Sequence, residues 1–150
     1  MALNERRIRK DRGVDILNSQ MLPSNPELNS TRAVLSQVAR NQIALPPIPS
    51  ITMYAPASSR PQGENCGSFL LGTFHINVGS VLLGGVNLVN AEPNSIIFYF
   101  NERGDLMHTG LVAANLSVIS KWDATGPVVL HNPELVPIEY GNTVMYFRMQ

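Results

Sequence analysis

The sequence predicts an all-β fold: a jelly-roll-like antiparallel β-sandwich of about eight short strands, preceded by an extended N-terminal arm with one short helix. Three observations lead there. Beyond Gly63 the chain is a series of short apolar runs interrupted by turn residues at roughly eight- to twelve-residue spacing, the rhythm of a sandwich or barrel. One of those runs, SIIFYFN, is apolar on both of its alternating faces, which suits a central strand or one whose outer face a partner covers. Before Gly63 that rhythm is missing, and prolines at 23, 26, 46, 47, 49, 56 and 61 remove backbone donors and bias their predecessors to extended geometry. The expected division is therefore an arm over residues 1–60 and a body over 61–150.

Within the arm, NSTRAVLSQVARNQ places Val34, Leu35 and Val38 on one side at helical spacing, behind Ser30 or Thr31 as a cap, so a short helix over 32–41 is expected. LPPIP after it is extended. An arm with so few apolar side chains does not offset the entropy of ordering its own backbone, and is expected to lie on another surface. In the body, strands are expected at 69–76, 81–83, 86–89, 96–100, 106–112, 116–122, 128–130 and 143–149. Trp122 ends an alternating strand and is expected in the core. Trp122 and Tyr140 are also the aromatic edges that a ligand-binding surface could use.

Charge divides as the texture does. Residues 1–60 carry eight Arg or Lys against four Asp or Glu, and residues 61–150 carry three against seven. Five of the basic residues, Arg6, Arg7, Arg9, Lys10 and Arg12, sit in the first twelve positions. Such a tip can contact something negative, either nucleic acid or the acidic bodies of neighbouring copies, or it can be a solvated terminus. No aromatic platforms accompany it, so nucleic-acid binding is expected to be weak. The charged share of the whole chain is 15%, against a usual value of about 25%, and a surface so neutral suits burial against other subunits. The opening segment has no apolar core of the kind that leads export, and no run reaches the roughly 20 apolar residues of a membrane span, so no membrane partner is expected. The single cysteine, Cys66, has no internal disulfide partner and fits a reducing compartment.

Catalytic patterns are sparse. His75, His108 and His131 show no metal-ligand spacing, and a three-histidine site would need them to converge. Cys66 stands in ENCG, where Gly67 predicts a loop leading into the first strand of the body, and no serine lies in a nucleophile elbow. Gly79 to Gly85 is glycine-rich without the lysine and following helix of a phosphate loop. Asp123 and Glu134 lie near strand ends and could pair. Arg103, Gly104 and Asp105 spell an adhesion-like triplet, but Asn101 to Asp105 also has the residues of a tight turn between two strands. The turn is the expectation, with a receptor-binding hairpin as the alternative. No enzyme activity and no cofactor or metal is expected.

A long proline-marked arm, quoted as LPPIPSITMY, joined to a body with core strands such as SIIFYFN and NTVMYFRMQ resembles the small decoration, or cement, proteins of tailed-phage capsids. That resemblance implies a virion structural protein, made in the host cytoplasm. It implies an arm that binds a capsid shell protein and a β body that self-associates, with a homotrimer favoured. A coat protein with a genome-facing arm, or a receptor- or glycan-binding module of a spike or fibre, are the alternatives.

Overall fold

A computed structural model describes residues 18–150. The described chain forms a mostly antiparallel, open sheet of eight strands with three helices. The strands are β1 (Gln20–Met21), β2 (Ile51–Ala55), β3 (Val86–Leu88), β4 (Ile96–Phe100), β5 (Leu106–Val112), β6 (Val118–Lys121), β7 (Val128–His131) and β8 (Thr143–Arg148). The helices are α1 (Pro26–Ala39), α2 (Cys66–Phe74) and α3 (Val78–Gly84). Across the sheet the order is β1, β8, β4, β5, β6, β7, β2, with β3 also paired to β8.

The period-2 alternation of the strands sorts side chains onto two faces. On β4 all five residues are buried, as SIIFYFN predicts for a central strand. Ile97 and Tyr99 join one cluster with Val112, Val118, Trp122, Val129 and Tyr146, and this cluster is covered by Leu35, Val38 and Ala39 of α1. Ile96, Phe98 and Phe100 join Met145 and Phe147 on the other face, under Val81 and Leu82 of α3. Phe69 and Leu70 of α2 pack beside them on Ile119 and Val128. Each fully buried Val, Leu, Ile, Met or Phe among them contributes about 1.5–3 kcal/mol.

Four expectations are corrected by this architecture. All eight strands lie in one sheet, so there is no second sheet of a sandwich among the described residues; helices cover its faces. Residues expected as strands at 69–76 and 81–83 are helices α2 and α3. Short apolar runs cannot be told from buried helix by periodicity alone, and the deciding signals are caps. Asn65 accepts from the Ser68 N–H at 2.9 Å while the Ser68 hydroxyl accepts from the Asn65 N–H at 2.9 Å, a reciprocal capping box, and Asn77 caps α3 through the Ser80 N–H at 3.1 Å. Residues 18–60 are built into the same core rather than extended away from it. Strand β2 pairs with β7, and α1 begins at Asn25 and Pro26, well before the expected 32. Of the three residues expected on one side of that helix, Leu35 and Val38 are buried and Val34 is exposed.

Arg32, fully buried, fixes α1 to the segment before β8. Its guanidinium donates to the carbonyls of Val136 (3.0 Å), Pro137 (3.3 Å) and Gly141 (2.7 Å) and to Asn142 Oδ1 (2.6 Å). Gly141, at φ 93°, lets this segment lie directly against the end of β4: a Cβ there would lie 2.1 Å from the Phe100 carbonyl oxygen.

Candidate active site

The chemistry of the molecule collects where the amino end of α2 meets the start of β5. The capping box makes Cys66 the first residue of α2, so its thiol sits at the helix end where backbone N–H groups have no intrahelical partner. A cavity of about 390 Å³ opens there, lined by Asn65, Cys66, Gly67, Val78, Leu106, Met107, His108, Thr109 and Asp123. Cys66, His108 and Asp123 come from three separate segments, and all three line this cavity.

Each is held by a local device. A register shift between Tyr99 and Phe100 leaves Met107 as the extra residue of a bulge, one position before His108, and bulges re-aim the side chains beside them. The His108 ring stacks on Tyr140 at 4.2 Å between centroids and 14° between planes, and tilts against Tyr99 at 5.5 Å. It is 2% exposed, and its Nε2 is buried with no hydrogen-bond partner. Asp123 follows β6 at φ 53° and accepts from the Tyr140 hydroxyl at 2.5 Å. Asp123 therefore holds the very ring that His108 stacks on.

The electrostatics describe a neutral resting pair. Burial raises the Cys66 thiol above its ordinary value, opposed by the backbone N–H groups of Thr109, Gly67 and Cys66, with the Asp123 charge adding to the rise. Desolvation holds the His108 imidazole well below its usual value, and nearby His131 adds to that. Tyr140 is raised far beyond its ordinary range by burial and by its bond to Asp123, so it stays a hydroxyl donor.

Other residues singled out in the sequence fall elsewhere. His75 is not a strand residue; it caps the carboxyl end of α2 in the left-handed region at φ 60° and is exposed. His131 is buried away from solvent, its Nε2 2.9 Å from the Ser120 hydroxyl and its Nδ1 2.6 Å from the Asn132 carbonyl. The three histidines do not converge, and among the described residues no group of three or more His, Cys, Asp or Glu is placed to hold a metal ion. Trp122 is fully buried, as expected, and Tyr140 is buried at 3% exposure rather than edge-exposed. Asp123 pairs with Tyr140, not with Glu134. Asn101 to Asp105 is the turn between β4 and β5: Asn101 Oδ1 accepts from the N–H groups of Arg103 (3.0 Å) and Asp105 (2.9 Å), Gly104 takes φ 82°, and Arg103 pairs with Asp105 at 3.4 Å. Arg6, Arg7, Arg9, Lys10 and Arg12 lie outside the described residues. No single helix among the described residues is long and apolar enough to cross a membrane.

Comparison of the chain with family models, with curated proteins and with solved structures gave no match.

Proposed function

We propose that the protein is a cysteine-nucleophile enzyme that cleaves or transfers an acyl group from an amide or ester, with Cys66 as nucleophile and His108 as general base. What supports this is one observation: a cavity that gathers a thiol at a helix amino end, a buried imidazole with an unpartnered Nε2, and a carboxylate. An unsatisfied buried polar atom is costly, by about 1–3 kcal/mol, and a catalytic role is one reason for keeping such an atom. Catalytic hydrogen bonds are often unformed before substrate binds.

The steps follow from this placement. With substrate in the cavity, the Cys66 sulfur attacks the acyl carbon while its proton passes to His108 Nε2. The oxygen of the tetrahedral intermediate takes the negative charge, which the N–H groups of Cys66, Gly67 and Thr109 stabilise. Collapse breaks the bond to the leaving amine or alcohol, which takes the proton from His108 and leaves a thioester on Cys66. Water, or a second acceptor, then attacks the thioester with His108 again as base, and the thiol is restored. Asp123, through its bond from the Tyr140 hydroxyl, fixes the ring on which the His108 imidazole stacks and so holds that imidazole in place between these steps. Because thiol and imidazole rest neutral, proton transfer accompanies attack.

The test is hydrolysis of p-nitrophenyl acetate by the purified protein. Cys66→Ala is expected to abolish it, and His108→Ala to lower kcat/KM by about 10² or more. Turnover unchanged in both variants would overturn the reading.

A second reading is the non-enzymatic virion protein expected from the sequence, a homo-oligomer bound to a capsid shell. It is favoured by the edge strand β2, whose outer side is unpaired within the described sheet and whose Met53 and Tyr54 are exposed. A monomer in light scattering, together with a Cys66-dependent activity, would remove it.

A further inference from the structure

The proposed enzyme leaves one charged group without a task. Lys121, the last residue of β6, is 1% exposed. Its ammonium donates to two main-chain carbonyls, Glu64 at 3.2 Å and Asp123 at 2.9 Å. Burying an ammonium is costly unless the site returns good hydrogen bonds, and an apolar side chain of similar volume would serve packing at least as well. The two acceptors belong to the two segments that matter most here: Glu64 lies two residues before Cys66, and Asp123 is itself on the cavity wall.

We propose that Lys121 is a positioning residue, whose buried ammonium pins the loop leading into α2 to the turn that carries Asp123 and sets a fixed positive charge at the nucleophile end of the helix. The inference rests on the proposed role of Cys66. The loop is braced from its other side as well. Arg60 donates to both Glu64 carboxylate oxygens at 2.8 Å and lies over the Phe69 ring at 5.2 Å. The Glu64 side chain is thereby engaged by Arg60, and its carbonyl is left for Lys121. The charged and titratable groups facing Lys121 are Glu64 and Arg60 from this loop, Cys66 from α2 and Asp123 from the turn after β6. Of these, Cys66 is the one that must change its charge during the proposed reaction. Negative charge developing on that sulfur as its proton leaves gains a buried cation nearby, so the placement of Lys121 acts on the attack step itself.

Cys66 is the only cysteine in the sequence, so iodoacetamide alkylation reports on it alone. The experiment follows the alkylation rate against pH in the wild type and in Lys121→Met, Lys121→Arg and His108→Ala, with folding checked by circular dichroism. The expected result is a midpoint raised by roughly one pH unit in Lys121→Met and near the wild-type value in Lys121→Arg, with kcat reduced and KM little changed in the former. If Lys121→Met does not fold, Lys121→Gln, which keeps an N–H donor and loses the charge, replaces it under the same readout. A folded charge-free variant with the wild-type midpoint overturns the inference. If His108→Ala also leaves the profile unchanged, it is the Cys66–His108 pair of the proposed function that fails, and the two failures are told apart.

Discussion

Two buried imidazoles respond to pH in the same direction. His131 is sealed from water and held down to about 4 by desolvation, with only the bond to the Asn132 carbonyl opposing it. His108 is lowered likewise. In the unfolded chain both titrate near 6.5. A group whose folded value is depressed takes up its proton first in the unfolded state, so its contribution to stability is complete above about pH 6.5 and is lost as pH falls toward the folded value. For His131 alone the loss between pH 6.5 and 4 is about 3 kcal/mol. Urea midpoints measured over this range should fall steeply, and His131→Gln should flatten the curve; a midpoint constant from pH 7 to 4 would contradict the burial of these rings. At the same scale, Arg32→Met leaves three carbonyls and the Asn142 side chain without their donor. The expected cost is about 3 kcal/mol, read by chemical denaturation.

The helices show which parts of this molecule the sequence makes readable and which it hides. Strand β4 is found where its two-sided apolar run predicts, and β5 and β8 match to within a residue or so, because alternation between well-marked turns has one reading. Helix α2 was hidden because Phe69, Leu70, Leu71 and Phe74 look like a buried strand, while the decisive signal is polar and lies before them in Asn65 and Ser68. That same signal places Cys66 at a helix end, so missing the cap meant missing the proposed nucleophile. The approach of His108 and Asp123 to Cys66 was not legible at all, since it depends on the sheet order and on the Met107 bulge. Strand β2 was hidden by flanking prolines, which an edge strand tolerates. Replacing the cap tests the link between element and site: Asn65→Ala should cost about 1 kcal/mol and slow Cys66 alkylation, while Asn77→Ala, at the cap of α3, should cost a similar amount without that effect.

At the scale of the whole molecule, α1 and β2, which precede residue 60, share one core and one sheet with the strands that follow it. Leu35, Val38 and Ala39 share a cluster with Val118, Trp122 and Val129, and β2 completes one edge of the sheet. Limited proteolysis of the isolated protein should therefore find no early cut within α1, and such a cut in a monomer would restore the picture of an arm that is ordered only on a partner. The proposed chemistry depends on this same compactness, because the Tyr140 ring under His108 is held in a segment that Arg32 of α1 ties down. The most direct measurement is the mass of the intact protein after brief exposure to p-nitrophenyl acetate. A single acetyl group on Cys66, formed in the wild type, absent in Cys66→Ala and much slower to form in His108→Ala, is what a His108-activated thiol predicts. Acetylation that is equally fast with and without His108, or that falls on residues other than Cys66, would contradict it.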